Sequence, residues 1–291
     1  MPARQPFTAI CRAATRNPST GRADLHLHST YSDGTYTPAQ LVELARRSGL
    51  AAIALTDHDT VAGVAAARAA ARGTSLEVVA GVEISAEYRG AELHLLGYFV
   101  DLFDPQLLAV LDRLRRDRYD RFWTMAQRLR QCGIAVDDAE LRQSAGNGTL
   151  GRRNLAEFLV QTRRAGSVRE AFARYLGDRG RVAVPKVRRP VAEAIARVGG
   201  AGGVAAWAHP SDGCTRETLA ELRGLGLGAV EVEYPGQRTG RTRELRAMAA
   251  ELRLAVTGGS DCHGPGHYRR AVGARSISWE ELSRLREAMA K

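Results

Sequence analysis

Lysine is almost missing from this chain. Of 42 basic residues only Lys186 and Lys291 are lysines, a bias that a GC-rich genome produces as readily as function does. Cysteine is sparse as well. Cys11, Cys132, Cys214 and Cys262 show neither paired zinc spacing nor the density of a secreted disulfide scaffold, so the expected compartment is a reducing cytoplasm. No apolar run approaches the roughly 18 residues of a membrane helix, which leaves a soluble protein with no membrane partner. Acids are missing from residues 1–22, and the apolar run from Phe7 to Cys11 is too short for a secretory signal. The stretch reads as a disordered leader or, alternatively, as an organellar transit peptide.

What is present is ordinary in bulk and specific in detail. At 291 residues the chain can bury a full core, enough for one large α/β barrel or a barrel with an insertion. The formal charge of +10 favours anionic partners such as phosphates or nucleic acid, through an attraction that salt weakens. No obligate protein partner is evident.

From Ala23 onward the pattern is strand, loop, helix, repeated. Strands are expected at Ala23 to Leu27, Leu50 to Leu55, Leu76 to Ile84, Glu92 to Val100, Gly203 to Ala208, Ala229 to Glu233 and Leu254 to Thr257. Thr37-Pro38 opens a helix that Gly49 closes. Such alternation argues a βα barrel or an open parallel sheet. Between Val100 and about Pro185 the strand signal disappears. Leu107, Leu111, Leu114, Phe122, Met125 and Leu129 recur at helical spacings, so residues 101–185 read as a mainly helical insertion between barrel segments 23–100 and 186–291. The insertion's other face carries Arg113, Arg115, Arg116, Arg118, Arg121, Arg128 and Arg130. It is either a solvated face neutralised by Asp112, Asp117 and Asp120, or a track for a phosphate backbone.

Six of the seven histidines sit at strand-to-loop transitions beside acids, prolines or other histidines: His26, His28, His58, His94, His209 and His263. With Asp33, Glu83 and Asp261 they place nine donors at expected strand ends, where barrel active sites assemble. Imidazole and carboxylate hold borderline divalent cations, and nine are too many for one tetrahedral zinc. Two or three metals are the economical inference.

Six motifs in order carry a family resemblance: Asp24-Leu25-His26-Leu27-His28-Ser29 with Ser32-Asp33-Gly34; Thr56-Asp57-His58-Asp59; Gly81-Val82-Glu83; His94-Leu95-Leu96-Gly97-Tyr98; Ala208-His209-Pro210; and Gly259-Ser260-Asp261-Cys262-His263-Gly264. The chain resembles the PHP (polymerase and histidinol phosphatase) family from Asp24 onward. Within it, the chain is similar to the branch containing nucleoside 3′,5′-bisphosphate phosphatases and 5′→3′ exoribonucleases. The resemblance implies a distorted (β/α)7 TIM-like barrel and a site of two or three manganese, iron or zinc ions. The implied ligands are His26, His28, Asp33, His58, Glu83, His94, His209, Asp261 and His263. Glu83 would bridge metals, and Asp33, Glu83 and Asp261 would carry the catalytic role. Asp24, Asp57 and Asp59 read as acceptors that orient ligand imidazoles or as caps of the following loops. A water activated by the metals would then attack phosphorus while the cations neutralise phosphoryl oxygens. Cys262 reads as packing, not as a nucleophile.

Substrate contacts are expected from Arg152, Asn154, Lys186 and His267. Gly151-Arg152-Arg153-Asn154 stands where the resembled branch has Gly-Arg-Pro-His, so Arg152 takes the phosphate-clamp role that a planar guanidinium suits. Arg153 and Asn154 depart from the pattern, and asparagine cannot donate a proton as imidazolium does. Lys186 matches a position of a cation near the site, with a plain surface lysine as the alternative. His267 follows the last ligands in a glycine-rich loop, as a substrate contact or a solvated histidine. Glu231 and Glu233 share a strand face and are not taken as ligands.

The expected activity is hydrolysis of phosphate esters of nucleotides or short RNA 5′ ends. The alternatives are a small-metabolite phosphatase such as histidinol phosphatase, and a catalytically silent nucleic-acid- or metal-binding module.

Overall fold

The computed structural model describes residues 21–145, 148–187, 189–265 and 268–290. Most of the expected leader, and His267, lie outside the described residues. The first strand, β1 (Arg22–Leu27), starts within the stretch read as leader. Arg22 is held there by hydrogen bonds from its guanidinium to Ser276 Oγ (2.6 Å) and to the Gly273 carbonyl (3.1 Å).

Each short, near-continuous apolar run becomes a buried strand, as sheets covered on both faces require. After β1 come α1 (Pro38–Arg47), β2 (Ala52–Leu55), α2 (Gly63–Ala71), β3 (Glu77–Tyr88) and β4 (Ala91–Tyr98). Helix α1 starts where its sequence predicts: Thr37 caps it, with Gln40 closing the reciprocal hydrogen bond. The second half of the barrel runs α7 (Val191–Gly200), β5 (Val204–Trp207), α8 (Arg216–Gly224), β6 (Ala229–Glu233), α9 (Thr239–Glu251), β7 (Ala255–Gly258), β8 (Ile277–Ser278) and α10 (Trp279–Glu287). The sheet order is β7-β6-β5-β4-β3-β2-β1-β8.

The ends of that sheet meet. Beyond β7, Cys262 bridges in parallel to Leu27 of β1, and the His28 amide donates to the Cys262 carbonyl at 3.0 Å. Gly259 makes this closure possible, because a Cβ there would collide with His26. Seven strands thus form a nearly closed α/β barrel, and the two-residue β8 pairs antiparallel to β1. The distortion is specific: β4 runs antiparallel to both β3 and β5. His94 therefore enters the site from the first half of its strand and Glu83 from midway along β3, which runs on to Tyr88, whereas the other candidates lie near or beyond strand carboxyl ends.

Between the two halves lies helical structure: α3 (Pro105–Gln131), α4 (Asp138–Ala145), α5 (Arg152–Gln161) and α6 (Val168–Ala171), which runs into a π-helical turn (Phe172–Leu176). Helix α3 serves two cores. Leu107, Val110, Leu111 and Leu114 pack with Leu55, Val82, Ile84 and Val198 in the main barrel cluster. Phe122, Met125, Ala126 and Leu129 pack with Leu155, Phe158, Leu159, Tyr175 and Val182 in a separate one. No helix among the described residues is long and apolar enough to cross a membrane.

Candidate metal centre

Strand periodicity explains how β1 supplies two donors. His26 and His28 are two residues apart, so they share a face, and both are completely buried. Their Nε2 atoms converge to 3.1 Å. The loop after β1 folds back on Asp57, which accepts from the Ser29 amide (2.7 Å), Ser29 Oγ (2.7 Å) and Ser32 Oγ (2.6 Å). That clamp delivers Asp33. His58 lies just past β2 and bridges in parallel to Glu83 on β3. His209 follows β5, and Asp261 and His263 follow β7. Asp59, His209 and Asp261 all have positive φ, at 54°, 29° and 48°. Left-handed backbone at non-glycine residues costs on the order of 1–3 kcal/mol and clusters at functional sites.

All nine candidates meet around Glu83, whose two oxygens divide the imidazoles between them. Oε2 faces His26 Nε2 (3.3 Å), His28 Nε2 (3.1 Å) and His58 Nδ1 (3.3 Å). Oε1 faces His94 Nδ1 (2.8 Å) and His209 Nε2 (3.1 Å). Asp261 Oδ1 lies 3.4 Å from His28 Nε2 and 3.3 Å from His263 Nδ1, and Asp33 Oδ1 lies 3.3 Å from His263 Nε2. Three overlapping donor groups result: His28, Asp33, His58 and His263; His26, His28 and Glu83; and His58, Glu83 and His94.

These donors suit divalent cations on the structure's own terms. His28 Nδ1, Asp33 Oδ1 and His58 Nδ1 are buried and make no well-directed hydrogen bond. Buried polar atoms are normally satisfied, and divalent cations held by these residues would supply the missing partners. Electrostatics agrees. Burial alone would raise Glu83, Asp33 and Asp261, yet the surrounding imidazoles hold all three well below the usual carboxylate range. Burial would lower His28, but hydrogen bonds to Asp261 and Glu83 outweigh it and raise His28 to about 9. His26 and His94 move upward for the same reason, with Glu231 and Glu83 overcoming burial at His26 and Glu83 at His94. His58 goes the other way, pushed down by burial.

Asp24, Asp57 and Asp59 fasten loops and the helical segment, the second of the roles expected of them. Asp24 accepts from the Ser260 (2.9 Å) and Gly273 (2.8 Å) amides, and burial raises it to about 6. Asp59 pairs with Arg118 of α3. The orienting role falls to Glu231 and Glu92, acids whose spacing in the sequence carries no sign of it. Glu231 is fully buried, and its carboxylate accepts from His26 Nδ1 (3.0 Å) and from the His209 amide (2.5 Å). That bond fixes the tautomer presenting His26 Nε2 to the centre. Glu92 does the same for His94, 3.0 Å from its Nε2. Glu233, on the same strand, is drawn off toward Arg246 (3.4 Å) and Arg275 (3.7 Å). Replacing Glu231 by glutamine puts an amide NH2 against one of the two N–H groups the carboxylate now accepts. Metal affinity should fall roughly 10–100-fold with the fold intact, as read by chelator competition; unchanged affinity would refute the orienting role.

Over this cluster opens a cavity of about 150 Å³. Asp33, His58 and His94 form one wall, and Arg118, Arg121, Arg152, Arg153 and Lys186 bring five cations to the rest. The basic face of α3 therefore splits. Arg115 pairs with Asp112 on the surface, whereas Arg118 and Arg121 turn into the cavity. Arg152 is steadied by Asp178 (2.7 Å) and lies over the Phe172 ring, and Arg153 pairs with Glu157 (3.1 Å). Asn154 is buried beneath them; its Oδ1 accepts from the Gly151 amide (2.9 Å), and it does not line the cavity. Cys262 is buried, with its thiol pushed up to about 12 by burial, as packing requires.

The chain is similar to known proteins over most of its length. The PHP domain profile matches residues 24–108. A 5′-3′ exoribonuclease of Haemophilus influenzae is 33% identical over 84% of this chain and 91% of its own. A 3′,5′-nucleoside bisphosphate phosphatase of Chromobacterium violaceum is 31% identical over 86% and 90%. A crystal structure from Bifidobacterium adolescentis, assigned as a metal-dependent phosphoesterase, superposes with a TM-score of 0.86 at 30% identity, covering 94% of this chain and 98% of that one. Likeness of this extent, on a barrel closed around nine clustered donors, defines an α/β-barrel phosphoesterase, a hydrolase of phosphoric esters. The chain belongs to the PHP family.

Proposed function

We propose that this protein hydrolyses phosphate esters of nucleotides or short RNA 5′ ends, with two or three divalent cations, manganese, iron or zinc, held by His26, His28, Asp33, His58, Glu83, His94, His209, Asp261 and His263. The observation that carries this reading is the single cavity that joins the histidine–carboxylate cluster to five cationic side chains. Cations bound there would supply the chemistry of a lowered water pKa and neutralised phosphoryl charge.

The rest is done by the chain itself. The guanidinium of Arg152 is a planar fork suited to two phosphate oxygens, already held at the cavity by Asp178. Arg121 donates its Nε to the Val184 carbonyl (2.9 Å), which steadies its guanidinium at the cavity wall. Burial and the neighbouring charge of Arg152 lower it to about 10, a cation whose surroundings favour an incoming anion. At about 150 Å³ the cavity is small beside the roughly 300–1,000 Å³ of drug-sized sites. It suits a phosphoryl group and its immediate neighbour, with the remainder of a nucleotide or strand outside. The relatives named for exoribonuclease and bisphosphate phosphatase activity support this substrate class. Cys132, Cys214 and Cys262 are unpaired, in keeping with a cytoplasmic enzyme.

The test is phosphate release by manganese-loaded protein from adenosine 3′,5′-bisphosphate, a short 5′-phosphorylated RNA and histidinol phosphate, each with a chelator control. Release from a nucleotide substrate that chelation abolishes is the expected result. Turnover of histidinol phosphate alone would overturn the nucleotide assignment, and no release from any substrate would overturn the enzyme reading.

A further inference from the structure

We infer that Lys186 is the proton donor to the leaving oxygen of the ester, a catalytic acid and not merely a phosphate-binding cation; this rests on the phosphoesterase reading above. In the step assigned to it, water forms the new P–O bond and loses a proton to solvent while the ester P–O bond breaks. The departing alkoxide takes the proton of the Lys186 ammonium, and the neutral amine is reprotonated from solvent, leaving alcohol and phosphate.

Three observations converge on this residue. The first is elimination within the cavity. Among its described lining residues, Asp33, His58 and His94 belong to the candidate metal cluster. Glu92 is engaged as an acceptor, its Oε1 taking a hydrogen bond from Lys186 Nζ and lying 3.0 Å from His94 Nε2. Arg118, Arg121, Arg152 and Arg153 are guanidiniums, which do not release protons in proteins. No tyrosine, cysteine or further histidine lines the cavity among the described residues. Lys186 is the remaining group able to give up a proton.

The second is placement. The Lys186 side chain is largely buried, and Nζ donates to Ser85 Oγ (2.7 Å) and to Glu92. Neither partner is a candidate ligand. The ammonium is thereby anchored on the cavity wall formed by β3 and β4. The charged groups facing it are Glu92 from β4, Arg118 from α3 and Asp59 from the loop after β2, with His94 behind Glu92. Burial and the charge of Arg118 outweigh the pull of Glu92 and bring the ammonium down to about 8, close to the operating range that acid catalysis favours.

The third observation is sequence usage. In a chain whose other basic residues are arginine but for Lys291, a lysine stands at a buried position where a permanently charged arginine would serve binding as well. What lysine offers that arginine cannot is a transferable proton.

The decisive experiment compares wild type and Lys186→Arg, both manganese-loaded, on two phosphomonoesters: adenosine 3′,5′-bisphosphate, whose leaving alkoxide needs a proton, and 4-nitrophenyl phosphate, whose leaving group is stable as an anion. The variant should lose about 10²–10⁴-fold in kcat on the nucleotide, with little change in KM, and keep most of its activity on the nitrophenyl ester. Equal losses on both esters, or no loss on either, would overturn the inference while leaving the phosphoesterase reading in place. Wild type that cleaves neither ester would overturn both. A second measurement does not depend on the variant folding or on turnover. With two lysines in the chain, ε-13C-lysine labelling of zinc-loaded protein gives two Cε signals to follow against pH. One midpoint at or below about 8 is expected for Lys186; a midpoint near the ordinary lysine value of about 10.4 would overturn the role.

Discussion

Glu83→Ala is expected to cut phosphate release by on the order of 10³-fold, corresponding to about 4 kcal/mol of lost transition-state stabilisation, and to lower the metal content of the purified protein. The reason is the position of this carboxylate. One oxygen faces His26, His28 and His58, and the other faces His94 and His209. Alanine removes the anion shared by two of the three donor groups and leaves five imidazoles crowded without it. Glu83→Gln keeps the shape and loses the charge, so it separates electrostatic from steric loss. Turnover and metal content measured on the same preparations decide the matter; an alanine variant that keeps both would refute the central role.

Metal uptake should release protons and strengthen steeply with pH. In the metal-free protein His28 is raised to about 9, and His26 and His94 are raised as well, so near neutral pH these rings carry protons that a cation must displace. Raised imidazoles stay protonated until the pH passes their folded values. Affinity should therefore climb through pH 6 to 9, about tenfold per pH unit for each proton displaced, and level off above. Calorimetry in buffers of different ionisation enthalpy counts the protons. Binding that releases none at pH 7 would contradict the assignment.

The donors were legible in sequence because their chemistry is local. A strand alternates faces every residue, so His26 and His28 two apart must point together, and strand-end histidines beside acids have few structural uses. Partners across space left no comparable trace. Glu231 looks like any acid on a strand, and only the curling of the sheet, with β6 between β5 and β7, brings it to His26 across the barrel. Arg118 and Arg121 lie in an arginine-rich helix whose spacing does not say which side meets the barrel; the burial of Asp59 and Ser85 decides it. The reversal of β4 was hidden for a related reason. Its apolar run reads the same in either direction, and the short turn between Tyr88 and Ala91 sets the antiparallel pairing.

Helix α3 has a further consequence. Its 27 residues span about 40 Å without a break. The first half is seated in the barrel, the second half is the spine of the other cluster, and Arg118 and Arg121 stand where the two meet. The arginines are thus geared to the barrel like teeth on a shaft. A graft that exchanged the helical segment for another would have to be spliced beyond Arg121, within α3, or the incoming piece would arrive out of phase with the chemistry it is meant to serve.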